Sequence, residues 1–322
     1  MLIPRSYVII SRAMKITLCA VLLLTSSLLV AQTPPPAAAP PSTVSPQIKQ
    51  AQQLNSEGKQ DEALAILNPL LASDPQSYEA NLTAGIVLDL KGDYDKAHKY
   101  LLQAVEFAPP DRRVQALRTT AVSYAFQCDL PQVARYEQLA YDAQMNDQKF
   151  TDAAGAANEL ARIYLECNDI PNAAKWYKTG YDTAMRTANL SDADRELWNF
   201  RWENAKARIA AREGKPKEAD ADVVAAKAAL DKSKNTDQQR FYPYLTGYVA
   251  FYAGDYSTAI AELQKADQKD PFILVLLAQA YEKQGNQSEA TKYYRQVLAI
   301  NSHNPTNAFA RPLAKKKLAS GS

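Results

Sequence analysis

Few residues of this sequence have a type and spacing that could do chemistry. The only two histidines, His98 and His303, have no Cys, His or carboxylate partner at the spacing of a metal site. The chain contains neither a Gly-rich phosphate loop nor a nucleophile elbow. The closely spaced acids Asp192 and Asp194 follow Ser191, a pattern that indicates a helix start rather than a general acid–base pair. The sequence therefore predicts no catalytic residue, no metal and no cofactor, and hence a protein that is not an enzyme.

The elements that position the side chains are predicted from a spacing that recurs along the chain. Gly92 stands five residues before Ala97, and six further pairs keep this spacing: Gly58…Ala63, Asp129…Ala134, Asn168…Ala173, Gly214…Ala219, Gly254…Ala259 and Gly285…Ala290. Gly, Asn or Asp can adopt the left-handed conformation that ends one helix, and Ala lets the next helix pack closely. The steps between successive alanines are 34, 37, 39, 46, 40 and 31 residues. A recurrence near 34 residues is typical of a helix–turn–helix solenoid.

Apolar periodicity and the positions of the prolines predict seven helix pairs. The predicted pairs are 47–57 with 60–72, 77–91 with 94–107, 111–127 with 131–146, 151–166 with 170–187, 192–212 with 216–232, 238–252 with 256–268, and 272–284 with 287–300. A segment after Pro305 ends in Lys315-Lys316-Lys317, and we interpret it as a solvated end helix that caps the last apolar face. Contact of the basic triplet with an anionic surface is the alternative.

These repeats resemble the tetratricopeptide repeat (TPR) family over roughly residues 46–304. The second unit carries the family pattern at Gly85, Leu88, Gly92, Tyr94, Ala97, Leu101, Ala104 and Pro109. The fourth unit carries it at Leu160, Ala161, Tyr164, Asn168, Ala173 and Tyr177, and the seventh at Leu277, Ala278, Tyr281, Gly285, Ala290 and Tyr294. The third and fifth units match poorly. The resemblance implies an all-α fold, namely a right-handed α-solenoid of about seven helix–turn–helix repeats.

The start of the chain has the composition of an export signal. Lys15 precedes an apolar run over residues 16–30, and Ala31 offers a small residue for cleavage before Gln32. This predicts an exported protein that is periplasmic or secreted. An uncleaved inner-membrane anchor formed by residues 16–30 is an alternative, and so is a lipoprotein built on Cys19; Met14 could be the true start.

Composition divides the chain into four segments. The segments are a signal peptide or anchor over 1–31, a Pro-rich disordered linker over 32–46, the solenoid over 47–304, and a C-terminal capping helix or tail over 305–322.

Without residues 1–31 the chain keeps 34 basic and 35 acidic residues. Because nucleic-acid binding needs an accumulated cationic face, this balance predicts that nucleic acid is not a partner. Contact with a membrane is expected only through the N-terminal segment, if it is not cleaved.

Two cysteines remain after the leader, Cys128 and Cys167. Each lies six residues before the Ala of its repeat, so the two are expected at equivalent ends of neighbouring helices. Helices pack about 8–10 Å apart, which exceeds the Cα separation of about 4.4–6.8 Å that a disulfide needs. We therefore predict two buried thiols, with a disulfide as the alternative if the long third and fourth units pack irregularly.

The resemblance also implies where a partner would bind. In TPR proteins, positions 2, 5, 9 and 12 of the first helix of each repeat line a concave groove. Carried onto this chain, they give the candidate site residues Asn158, Arg162, Arg201, Asn204, Arg208, Phe241, Tyr244, Tyr248 and Phe251. Asn and Arg together can bind peptide backbone and carboxylate, and the aromatic side chains can hold an apolar group. In the structural alternative the aromatic residues pack against a neighbouring repeat, and the arginines pair with Glu203 or Asp194.

These observations lead to one functional hypothesis and its alternatives. The hypothesis is a non-catalytic adaptor or assembly factor of the cell envelope that holds a protein or peptide partner in the concave TPR groove. The first alternative is a structural repeat protein that associates with itself as a homo-oligomer. A glycan-binding module that uses the Tyr-rich face is the second.

Overall fold

Helices form the protein throughout residues 44–321, which are the residues that the computed structural model describes. The predicted leader and almost all of the Pro-rich segment lie outside these residues. In chain order the α-helices are α1 (Pro46–Ser56), α2 (Gln60–Ser73), α3 (Tyr78–Lys91), α4 (Tyr94–Phe107), α5 (Arg113–Ala125), α6 (Leu130–Asn146), α7 (Phe150–Glu166), α8 (Ile170–Ala184), α9 (Asp192–Arg212), α10 (Pro216–Ser233), α11 (Tyr242–Tyr252), α12 (Tyr256–Leu263), α13 (Pro271–Lys283), α14 (Gln287–Ala299) and α15 (Pro305–Ala319). Successive helices pack in pairs, and each pair packs on the next, so the fold is the expected all-α solenoid. Within residues 44–321 no helix combines the length and the apolar character that a membrane span needs.

Small residues set the spacing between paired helices. Gly85 of α3 lies directly against Leu101 of α4, and Gly247 of α11 lies in the same way against Leu263 of α12. Six of the seven predicted alanines at the start of the second helices are fully buried, as at Ala97; the exception is Ala134. Close approach of the two backbones therefore buries one apolar stripe of each helix inside its own repeat.

Left-handed residues end the first helices of the repeats, but the third repeat differs from the prediction. Gly92 has φ 95° and Asn168 has φ 69°, as expected. In the third repeat Cys128 takes this conformation with φ 51°, whereas Asp129 caps α6 and accepts a hydrogen bond from the Gln132 N–H. The prediction that Asp129 ends the first helix was therefore wrong by one residue. Accordingly, the buried residue five positions later is Val133 and not Ala134.

This one-residue shift explains why the prediction of two buried thiols was also wrong. Cys128 and Cys167 form a disulfide with a Cα separation of 5.8 Å. Because the third repeat is shifted, the two cysteines do not occupy equivalent positions. Both also lie in turns beyond the last helical residues, where the packing distance between helix axes does not apply. Cys128 is exposed and Cys167 is half-buried.

The sixth repeat begins less regularly than the predicted helix 238–252. Residues Thr236–Phe241 form a 3-10 helix, and α11 follows from Tyr242. The second helix was expected to reach residue 268 but ends at Leu263. The Gln268 side chain donates hydrogen bonds to the carbonyls of Leu263 and Ala266, which satisfies groups that the longer helix would have used.

The C-terminal helix α15 forms as predicted, but it is not a solvated end. It packs on α13 and α14 and also reaches across the concave face to α5 and α7. Lys315 donates to the Lys91 carbonyl at 2.9 Å, and Lys317 pairs with Glu282. The His303 side chain is only 5% exposed, and its Nε2 lies 2.8 Å from the Asp89 carboxylate. Contacts between distant repeats cover α15 and His303, and sequence spacing does not reveal such contacts.

One carboxyl group is completely buried in the core. Glu137 of α6 has no exposed surface, and the Arg118 Nε lies 4.0 Å from one of its carboxylate oxygens. Burial raises the pKa of Glu137 well above 4.5, the negative charge of Glu159 adds to the shift, and Arg118 opposes it. The folded protein therefore binds a proton that the unfolded chain releases.

We expect Glu137→Gln to stabilise the protein at pH 8. Because the folded state binds more protons, stability falls as pH rises from about 4.5 through the raised pKa of Glu137. A neutral amide removes this loss, so the free energy of unfolding should rise at pH 8 and change less between pH 5 and 8. Urea unfolding across this range measures the effect, with the exposed Glu106→Gln as the control. Equal pH dependence of Glu137→Gln and wild type would contradict the assignment.

Candidate functional site

Seven of the nine predicted groove residues surround one cavity on the concave face. The cavity has a volume of about 380 Å³ and opens between the repeats built on α7, α9, α11 and α13. The seven are Asn158, Arg162, Arg201, Asn204, Arg208, Phe241 and Tyr244. The structure does not bring the other two to the cavity: Tyr248 is fully buried, and Phe251 packs against Tyr252 and Tyr256. Helical spacing places Asn158 with Arg162 and Asn204 with Arg208, since residues four apart share a helix face.

Arg208 is the most deeply buried of the three arginines, with 6% of its surface exposed. Its Nε donates to Asn204 Oδ1 and its terminal nitrogen donates to the Tyr177 hydroxyl, both at 2.9 Å. Burial opposes the charge of Arg208, but Tyr177 and the neighbouring tyrosines and Glu166 outweigh it, and the pKa of Arg208 is raised. This arginine is therefore a fixed cation at the base of the cavity.

Arg162 and Tyr244 leave polar atoms without partners beside this cation. The Arg162 guanidinium lies 5.7 Å from the Tyr244 ring centroid and 5.4 Å from that of Phe272. Among residues 44–321, neither the Arg162 Nε nor the Tyr244 hydroxyl has a hydrogen-bond partner, although both atoms are buried. Burial raises the pKa of Tyr244 to about 12, while Arg162 and Arg208 oppose the shift. The Tyr244 hydroxyl is thus protonated at neutral pH and can donate a hydrogen bond to an acceptor in the cavity.

Arg201 is half-exposed at the edge of the cavity. Its guanidinium lies 4.5 Å from the Trp198 ring centroid, a distance at which the cation and the ring attract each other. The expected alternative, pairing of the arginines with Glu203 or Asp194, is not observed: Glu203 pairs with Lys206, and the Asp194 carboxylate accepts a hydrogen bond from Ser191, the residue that caps α9. Arg201 can therefore bind an anionic group that enters from solvent.

Three carboxylates also line the cavity but are engaged by the protein. Glu159 pairs with Arg118 at 2.5 Å. Asp270 caps α13 by accepting from the Phe272 N–H, and Asp267 accepts from the Lys269 N–H. The lining thus combines three guanidinium groups and the Tyr244 hydroxyl with the Phe241 ring, an arrangement that suits a carboxylate next to an apolar group. Residues 44–321 contain no cluster of His, Cys, Asp and Glu that could hold a metal ion.

Comparison with known proteins identifies the repeats. Family models described as tetratricopeptide repeat match residues 54–120 and 244–305. These two segments are tetratricopeptide repeats. TPR repeats form scaffolds for protein–protein interaction, and the family is typically non-catalytic. No curated protein matches the chain.

A solved TPR structure shares the fold at low sequence identity. A tetratricopeptide repeat protein from Parabacteroides merdae ATCC 43184 is 11% identical with a TM-score of 0.50, and the match covers 85% of this chain and 96% of that chain. A Podosopora anserina protein with nearly identical TPR-like repeats is 16% identical with a TM-score of 0.47, over 59% of this chain and 96% of that chain. At such identities the first likeness shows the fold alone.

Several residues of the TPR cavity were not predicted from the sequence. Tyr177, which holds Arg208, lies on the second helix of its repeat, where the family pattern assigns packing rather than binding. Pro305 and Thr306 at the start of α15 form part of the wall. No local signal marks them, because their place depends on how far the superhelix has turned after seven repeats.

Proposed function

We propose that this protein is a non-catalytic adaptor of the cell envelope that holds a segment of a partner protein in the arginine-lined cavity. The observation that carries the proposal is the convergence of Arg162, Arg201 and Arg208 with Tyr244 and Phe241 around one opening of the concave face. A carboxylate of the partner would bind the guanidinium groups and the Tyr244 hydroxyl. An adjacent apolar side chain would pack on Phe241. Because these groups are held by packing before the partner arrives, little side-chain entropy is lost on binding.

Arg201→Gln should weaken partner binding about tenfold while leaving the fold intact. The half-buried guanidinium stacks on Trp198 and forms no salt bridge within residues 44–321, so its loss removes a charge-assisted contact with the partner, worth about 1–2 kcal/mol, without leaving a buried partner group. Peptides selected by display against the full chain supply the ligand, and fluorescence anisotropy measures their Kd.

Arg186→Gln is the matched control for this experiment. Arg186 is likewise stacked on an aromatic ring, that of Phe150 at 4.6 Å, but it is fully on the surface and does not line the cavity. Phe241→Ala should reduce affinity for the same peptides. If the selected peptides bind both arginine variants as tightly as wild type, the cavity is not the binding site.

The envelope location is a separate part of the proposal. It is supported by the charged and apolar pattern before Gln32 and by the Cys128–Cys167 disulfide, a bond that persists in oxidising compartments. In a bacterial host, we expect the mass of the exported protein to correspond to a chain that begins at Gln32. Leu23→Arg, which interrupts the apolar run, should retain the full-length chain in the cytoplasm. An exported chain of unchanged mass would favour the uncleaved anchor instead.

A further inference from the structure

The first helices of the third and fourth repeats separate from each other. In the early repeats α3 packs directly on α5, whereas α5 and α7 make almost no direct contact. A second cavity, of about 350 Å³, opens between them and is lined by Arg118 and Val122 of α5, by Glu159 of α7 and by His303. Packing of α6 along α7 joins the two repeats behind this gap. We call the gap between α5 and α7 the seam.

An ion pair and a disulfide connect α5 to α7 across the seam. Arg118 of α5 pairs with Glu159 of α7 at 2.5 Å, and both side chains are partly exposed. Beyond the ends of the same two helices, Cys128 and Cys167 are bonded, with a Cα separation of 5.8 Å. Because ion pairs that are open to solvent contribute little to stability, the disulfide is the stronger of the two connections.

On one side of the seam, the turn after α7 is fixed to the arginine-lined cavity. Asn168 Oδ1 in this turn accepts a hydrogen bond from Arg212 of α9 at 3.0 Å, and Glu166 pairs with the same arginine at 3.2 Å. These bonds join α7 to α9, two helices that also make almost no direct contact. Arg162 and Arg208 lie one helical turn before Glu166 and Arg212, so the cations of the cavity belong to this fixed unit.

Another part of the cavity wall is attached to the opposite side of the seam. Pro305 and Thr306 line the cavity at the start of α15. Two residues before them in sequence, His303 lies 2.8 Å from Asp89 of α3, and Arg311 of α15 donates to a carbonyl at the end of α3 at 2.9 Å. Because α15 also packs on α13 and α14, it spans the seam. A change in the width of the seam must therefore break some of these contacts and shift this wall relative to the arginines.

Cys128 is the accessible end of the disulfide. It is exposed, whereas Cys167 is half-buried. Its φ of 51° lies in the left-handed region, which is unfavourable for a residue with a Cβ. Exposed disulfides are the ones that reductants reach and that take regulatory roles. A reductant therefore meets Cys128 first, and the turn after α5 can relax once the crosslink opens.

We propose that the Cys128–Cys167 disulfide is a reducible lock on the seam, and that its reduction weakens partner binding in the arginine-lined cavity. The effect on binding rests on the proposed function, whereas the lock does not. The reductant is a dithiol. Its first thiolate attacks the Cys128 Sγ, the bond to Cys167 breaks, and the Cys167 Sγ keeps the electron pair and takes up a proton.

The second thiolate of the reductant completes the reaction. It attacks the reductant's own sulfur in the mixed disulfide, and the Cys128 Sγ leaves with the electron pair and takes up a proton. The protein thus gains two electrons and two protons, and the dithiol is oxidised to a disulfide.

The binding test compares oxidised and reduced forms of the full chain. Cysteine-free peptides selected by display against the oxidised chain supply the ligand, and circular dichroism confirms that the reduced chain stays folded. With dithiothreitol the Kd should rise about fivefold, because the cavity is less preorganised, and reoxidation should restore it. The double variant Cys128→Ser with Cys167→Ser should bind as weakly as reduced wild type and should not respond to dithiothreitol.

A distance measurement tests the lock without any ligand. Pulsed electron paramagnetic resonance compares the oxidised chain with the double serine variant, using labels on unnatural amino acids at the exposed positions Glu106 of α4 and Lys178 of α8. The distance distribution across the seam should broaden in the variant. Labels at Lys178 and the exposed Lys217 of α10 lie on the same side of the seam and provide the matched control, whose distribution should not change.

Each of the other outcomes would overturn one part of the proposal. An unchanged distance distribution across the seam would show that the disulfide is not a lock. A broadened distribution with an unchanged Kd would show that the seam does not control the cavity. Equal broadening for both pairs of labels would indicate general loosening of the solenoid. If no selected peptide binds the oxidised chain at the cavity, the proposed function is wrong, and the distance measurement still decides whether the lock exists.

Discussion

Replacing both Cys128 and Cys167 by Ser is expected to lower the free energy of unfolding by about 4 kcal/mol, because a crosslink across about 40 residues restricts the unfolded chain. The disulfide spans 39 residues of sequence and joins the ends of α5 and α7 in neighbouring repeats. Cys128 is exposed and Cys167 half-buried, so serine at these positions removes little apolar packing. Urea unfolding of the oxidised wild type and the double variant, followed by circular dichroism, measures the difference.

Reduction provides the matched control for this prediction. Wild type treated with dithiothreitol should unfold at the same urea concentration as the double variant, and the double variant should not respond to the reductant. If oxidised wild type and the double variant have the same midpoint, the loop closed by the disulfide is already restricted in the unfolded state. The entropic account would then be wrong.

Gly85→Ala is expected to destabilise the protein by about 2 kcal/mol or more, although alanine is the better helix former. A Cβ at position 85 would lie within 2.4 Å of Leu101 Cγ and within 2.7 Å of its Cδ2. Leu101 is itself fully buried, so it cannot swing into solvent to make room. The two helices of the second repeat must separate, and the thermal midpoint should fall accordingly.

Two further variants decide whether this contact is the cause. Gly155→Ala is the matched control, because it also lies inside a helix but its Cβ would meet nothing within 4 Å, so it should be neutral or stabilising by up to about 1 kcal/mol. Leu101→Ala alone should cost about 2–5 kcal/mol. Together with Gly85→Ala it should cost clearly less than the sum of the two single effects. If the free-energy costs of Gly85→Ala and Leu101→Ala are additive, the contact between these two residues is not the cause of the destabilisation.

The ends of helices were predicted correctly wherever the backbone conformation at the end restricts the type of residue. A positive φ strongly favours Gly, so the left-handed turn at Gly92 could be located from sequence alone. Cys128 shows the limit of this argument, since it adopts φ 51° with a side chain that gives no such signal, and the third repeat was misplaced by one residue. Because of the same shift, the two cysteines form a disulfide instead of the predicted free thiols.

The lining of the cavity was predicted in part for a similar reason. Asn204 and Arg208 lie four residues apart on one helix, so their common direction follows from helical geometry. The depth of Arg208 and its bond to Tyr177 do not, because they depend on how the fourth and fifth repeats pack. Tyr248 was predicted on the groove by the same spacing, yet packing of the sixth repeat buries it completely.

The sequence by itself determined the helix–turn–helix repeat, its membership in the TPR family and the helix faces that carry the arginines. These features follow from interactions within about one repeat, where backbone conformation and periodicity are decided by neighbouring residues. Only the tertiary structure decided that seven of the nine candidate residues share one cavity, and that α15 crosses to α3 and α5. Small rotations between successive repeats accumulate along a solenoid. A contact between residues more than 200 positions apart in the sequence, such as His303 with Asp89, therefore depends on the sum of all these rotations.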